Sequence, residues 1–312
     1  MFDKKHSMFF FVLLGLFVTD RCIAECVLSN SQVTTLYFGV EIDLPDPEHP
    51  HTIPTAHTDI EMPLRFNTGW DIYVNTDLPT TNTRVETEDA LFALGQQHRQ
   101  SFPGTVPETF EFIGTSPGQT FWYYNQFEAP SPGLDSQAVS PAEKAELCLW
   151  DPNDPSGNAS GLGEWLQVNL VDVRGPAGGY ISMFQEGATP TVFYSTFDGG
   201  ITASDVYFIK TNSHSHNSWT FTQPGLYEVD IRVSTYYQCD DTLTTDLNDD
   251  CFVNMEDYAI LSSYWLRTDC GDPNLCPELS SLTDPNEIEI EDLNELSEQW
   301  LICGSPFVSE CP

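Results

Sequence analysis

Basic residues are scarce in this chain: 11 Lys and Arg stand against 47 Asp and Glu, a formal net charge of −36 over 312 residues. A surface of that sign repels phosphate backbones and anionic membranes, which excludes nucleic acid as a partner. It suits divalent cations. Catalytic signatures are missing as well: there is no P-loop, no Rossmann glycine motif, no HExxH and no C-x-x-C pair. GTSPG (Gly114 to Gly118) has the outline of a nucleophile elbow. Pro117 lacks the N–H that an oxyanion hole needs there, so Ser116 reads as a turn residue. Long apolar runs are missing too. MFFFVLLGLFV (Met8 to Val18) is too short to cross a bilayer, and no later stretch is long enough for an anchor.

What is present points outside the cell. Lys4 and Lys5 precede the apolar run, and Cys22 and Ala24 supply small residues for a cleavage site, the pattern of a signal peptide over residues 1–24. The cysteines agree with export. Nine occur, and loss of Cys22 leaves eight, the even number that disulfide pairing requires. Six of them (Cys239, Cys251, Cys270, Cys276, Cys303 and Cys311) lie in the last quarter, with their pairing open; Cys26 and Cys148 remain for a bridge in the first part. The expectation is a secreted or cell-surface protein.

From Val33 to about Tyr237 the pattern is β. WDIYV, WLQVNLVDV, YISMF, TVFYSTF, VYFIK and LYEVDIRV are short β-branched and aromatic runs separated by Gly, Pro, Asn and Asp. Such spacing predicts a mostly β fold, an Ig-like antiparallel sandwich over residues 25–237. In LYEVDIRV, Tyr227, Val229, Ile231 and Val233 should share one face. Helices are expected at Glu86 to His98 and Pro141 to Trp150, a long surface loop from Leu134 to Gly163, and core positions for FWYY (Phe121 to Tyr124). After Tyr237 the composition changes: Cys239 to Pro312 holds 18 acidic residues and one basic residue, Arg267. That shift sets a boundary at about Gln238, followed by a small all-α domain over 238–305 and a tail over 306–312.

DLNDDCFVNMED (Asp246 to Asp257) has the ligand spacing of an EF-type calcium loop. Such a loop draws on positions 1, 3, 5, 7 (a carbonyl), 9 and 12. Asp246, Asn248, Asp250, Phe252, Asn254 and Asp257 fill them. Cys251 stands where Gly usually makes the sharp turn, which implies backbone strain. VNMEDYAILSSYWL, from Val253, then repeats as IEIEDLNELSEQWL, from Ile288, with six of fourteen positions identical. A duplicated loop and helix lets each half bury its apolar stripe on the other, with Trp265 and Trp300 expected in the core. The loop and helix resemble dockerin type I modules, which implies bound Ca2+ and a cohesin-like or other cell-surface protein partner. The second loop departs from that pattern. Pro285 offers no ligating side chain where one is needed, leaving Asp284, Asn286, Glu289 and Asp292 as a weak, rearranged second site.

Histidines supply another candidate. His214 and His216 are two apart, as are His57 and Asp59, so on strands each pair leaves one face. Together they could bind Zn2+ or Mn2+. HPH adds His49 and His51. HTDIE, GWDIYV, LQVNLVDVRGPAGGYISMFQEG and TNSHSHNSWTFTQPGLYEV resemble the choice-of-anchor M domain of bacterial surface-anchored proteins. That resemblance implies a non-enzymatic extracellular β-sandwich, some of whose relatives lie beside metal-uptake transporters. Three functions follow as expectations: a surface protein anchored by a calcium-dependent docking module, a surface metal-binding protein, or a secreted carbohydrate-active or carbohydrate-binding protein. The carboxylate pair of the third would be recognised only in space.

Overall fold

The computed structural model describes residues 26–29, 31–54, 56–77, 80, 82–127, 131–152, 161–239, 243–265, 267, 276, 279, 282, 290–306 and 311. The expected signal peptide, and Asp284, Asn286 and Glu289 of the second loop, lie outside these residues.

The fold is mostly β. A large sheet runs in the order Val206–Lys210, Trp165–Arg174, Gly225–Gln238, Gln32–Val40, Ala90–Leu94, His51–Ile53, with Cys26–Leu28 paired to the end of Gly225–Gln238. A second sheet has the order Arg99–Ser101, Thr120–Tyr124, Ser218–Phe221, Ile181–Gln185, Thr191–Ser195. A third runs His214–His216, Gly133–Asp135, Thr58–Glu61, Tyr73–Thr76, Thr83–Glu86. The long Gly225–Gln238 strand shows why the chain folds this way. Tyr227, Val229, Ile231 and Val233 are buried on one face, as alternation predicts. On its other face Arg174 binds Glu228 at 2.8 Å and Asp230 at 2.6 Å across the strand pair. Phe38 of the large sheet lies 5.2 Å, centroid to centroid, from Trp219 of the second and 4.9 Å from Phe221, so these two sheets share one aromatic core.

Four expectations about elements are corrected. The sheets are not purely antiparallel: Gln32–Val40 and His51–Ile53 both run parallel to Ala90–Leu94, and Gly133–Asp135 runs parallel to Thr58–Glu61. Residues 86–98 do not form a helix. ALFAL is a strand buried at every position between two parallel neighbours, flanked by short 3-10 turns at Thr87–Asp89 and Gln96–His98. Burial on both faces overrides the helical propensity of its Ala and Leu. The expected 141–150 helix stops at Ala145; Ser140 caps it, and Leu147 and Trp150 then bridge to Tyr237 and Gly163. The strand Gly133–Asp135 also occupies the start of what reads as a surface loop.

Beyond Gln238, helices Met255–Ser263 and Ile290–Gln299 enclose a separate cluster that includes Leu247, Val253, Leu261 and Leu296. The repeat is visible in its equivalent positions: Leu261 and Leu296 are buried, and so are Asp257 and Asp292. Trp265 and Trp300 are not core, at 39% and 36% exposed. Each lies past the end of its helix, off the buried stripe. Disulfides join Cys26 to Cys148, Cys239 to Cys251 and Cys303 to Cys311, and Cys276 is disulfide-bonded as well. They point to an oxidising, extracellular environment. Among the described residues no helix is long and apolar enough to cross a membrane.

Candidate metal centre

Three short strands lie side by side in the third sheet and set two rows of residues on one face. One row pairs Asp59 with Gly133 and Gly133 with His216; the next pairs Glu61 with Asp135 and Asp135 with His214. Alternation along each strand puts both rows on the same side. His57 enters from the residue just before the Thr58–Glu61 strand. The expected set His57, Asp59, His214 and His216 is therefore gathered by strands far apart in sequence. One ligand atom from each lies within 4.8 Å of all the others, a group that can hold a metal ion.

Three of the six separations fall well inside that limit. His216 Nε2 lies 3.3 Å from His57 Nε2 and 3.7 Å from Asp59 Oδ1, and His214 Nε2 lies 2.8 Å from Asp59 Oδ1. Zinc with bonds of about 2.0–2.1 Å sets tetrahedral ligand atoms about 3.3 Å apart. Gly133 makes this convergence possible. A Cβ there would stand 2.2 Å from Asp59 Oδ1 and 3.0 Å from the His216 ring, in the space between the two ligands.

Surrounding groups orient the ligands. His216 Nδ1 donates to the Ser131 carbonyl at 2.8 Å, which leaves Nε2 with its lone pair toward the cluster. Burial lowers the His216 pKa, against the pull of that hydrogen bond and of Asp59, so the neutral, ligating form is favoured. Glu61 and Asp135, both buried beside the ligands, have raised pKa values, chiefly through burial. Asn75 Nδ2 donates to Glu61 at 3.1 Å, and the Gln137 N–H to Asp135. Three carboxylates on one half-enclosed face, with no Lys or Arg paired to them among the described residues, make a local field that favours a cation. His49 and His51 do not join the group: His49 Nδ1 meets Asp46 at 3.0 Å, and its ring lies 4.2 Å from that of Tyr37.

The Asp246 to Asp257 loop has another character. Asp246 accepts from the N–H groups of Asp250 and Cys251 at 3.1 and 2.7 Å, and Asp257 from those of Leu247 and Asn254, both at 2.7 Å. Asn254 caps the following helix through the Glu256 N–H, and Val253 is fully buried. Cys251 has φ +67°, the left-handed turn that its position requires, and Asp249 has φ +56°. Burial pushes Asp246 up to about 6, opposed by its two N–H donors and reinforced by Asp250 and Asp257. Asn248 Nδ2 donates to Asp250 at 3.0 Å and Asn254 Nδ2 to the Phe252 carbonyl at 3.1 Å, so the loop's polar atoms largely serve one another. Of the second-loop residues, Asp292 is buried in the first turn of its helix.

Sequence reasoning named the four residues that the structure gathers but missed Gly133, Ser131, Glu61 and Asp135. Glu61 continues the i, i+2 alternation from Asp59 and was open to discovery. Nothing in PSPGLDS signals that Gly133 would lie between two ligands from other strands. Comparison of the chain with protein-family models, with curated proteins and with solved structures finds no match. The case for function rests on the geometry.

Proposed function

We propose that this is an exported, non-enzymatic protein that binds a transition metal, zinc before manganese, through His57, Asp59, His214 and His216. The observation that carries this reading is the convergence of four candidate ligand atoms, those of Asp59 and His216 flanking Gly133. Three imidazoles and one carboxylate match the donor preference of zinc better than that of manganese, which takes more oxygen. Four protein ligands complete a tetrahedron and leave no position for an activated water, which favours binding over hydrolysis. The mature protein, loaded with zinc and desalted, is expected to retain about one equivalent, and His214→Ala to retain almost none. Equal retention by the two proteins would contradict the reading.

A second reading concerns the C-terminal part, as a calcium-dependent, dockerin-like docking module. It is supported by the left-handed Cys251, the buried Asp246 and Asp257, and an apolar groove between the helices that includes Met255, Tyr258 and Trp300. Its partner would be a cohesin-like or other cell-surface protein. Calorimetric titration of EDTA-stripped protein with calcium should show one equivalent, abolished by Asp257→Ala. Absence of calcium binding would leave a disulfide-stapled acidic helical pair and remove the docking reading.

A further inference from the structure

The second sheet carries a different feature on the face turned away from the core. Phe121, Tyr123, Thr220 and Phe184 point outward there, because Trp122, Tyr124, Trp219 and Met183, their neighbours in sequence, fill the core. The 3-10 segment Glu108–Ile113 covers part of this face. It is pinned by its Phe112 carbonyl, which accepts from Ser182 Oγ at 3.1 Å and Ser195 Oγ at 2.9 Å. Between the segment and the sheet remains a cavity of about 520 Å³, the size of a small-molecule site. Its walls are aromatic: Phe102 stacks on Phe121 at 5.4 Å and meets Phe110 at 5.9 Å, while Phe110 stands edge-on to Phe184 at 6.4 Å.

One charged group in this cavity is only partly used by folding. Glu186 stands in the wall. Its Oε1 accepts from the Tyr123 hydroxyl and from Ser218 Oγ, and among the described residues no basic side chain pairs with it. Oε2 is left to accept from something else. No organic anion fits beside this carboxylate in a chain of net charge −36.

We propose that this cavity binds an organic ammonium with an apolar or aromatic body. The ammonium would donate to Glu186 Oε2 and lie against the aromatic faces, where cation–π attraction adds to the ion pair. The body would fill the space among Phe102, Phe110 and Phe121. This site lies on a different sheet from the histidine cluster and does not depend on the metal reading.

The test is a calorimetric or NMR titration of the mature protein with 2-phenylethylammonium and with 2-phenylethanol, its neutral counterpart. The ammonium should bind at least tenfold more tightly than the alcohol. Glu186→Gln should remove that preference while leaving thermal unfolding cooperative. Equal binding of the two probes, absence of binding, or a Glu186→Gln protein that still prefers the ammonium would overturn the proposal.

Discussion

At the scale of single residues, the histidine cluster depends as much on a missing side chain as on the four that are present. Gly133 leaves room for Asp59 and His216 to approach each other across its strand. Gly133→Ala should therefore weaken zinc binding by about ten- to a hundredfold, as displacing orienting groups does at metal sites. Circular dichroism should still report a β fold. Unchanged zinc affinity would mean that the two ligands do not converge over this glycine. The four ligands were legible because an i, i+2 pair on a strand needs no knowledge of the fold to be placed on one face. The glycine, and the buried Glu61 and Asp135 beside it, were not, because their meaning comes from strand neighbours more than seventy residues away in the chain.

At the scale of elements, amphipathic strands were the readable ones and doubly buried strands were not. Alternation in LYEVDIRV fixed which face of Gly225–Gln238 enters the core, whereas ALFAL, apolar at every position, offers no period to separate strand from helix. The polar face of Gly225–Gln238 yields a pH prediction. Arg174 bonds Asp230, Glu228 and Asp172, and it is the main cause holding the Asp230 pKa below its ordinary value. A carboxylate with a lowered folded pKa adds stability above its unfolded pKa of about 3.9, and that stability is lost as pH falls through the folded value. Arg174→Gln should cost up to about 1 kcal/mol at pH 7, since the guanidinium is partly exposed, and less at about pH 3, below the unfolded value. Denaturant melts at the two pH values check this; an equal loss at both would make the contribution packing rather than charge. In the C-terminal part the loop spacing and the repeat were legible, and the buried Leu261 and Leu296 agree with it. The Trp positions were misplaced because a repeat in sequence does not say where a helix stops.

At the scale of the whole molecule, disulfides and charge set the setting in which the cluster works. The Cys26–Cys148 bridge closes 122 residues and ties the first strand to the segment after the Pro141–Ala145 helix, a crosslink suited to a protein outside the cell. A chain with four times as many acidic as basic residues raises the local concentration of divalent cations around every site it has. Ordered zinc would then stabilise the fold by linkage, adding about 2.7 kcal/mol at a hundredfold excess over its Kd. The most direct measurement is the visible spectrum of the EDTA-stripped mature protein titrated with cobalt(II), which reports coordination geometry as well as binding. The account predicts intense tetrahedral bands that saturate at one equivalent, vanish when one equivalent of zinc is added, and do not form in His214→Ala. A weak octahedral spectrum, or the same bands in His214→Ala, would contradict it.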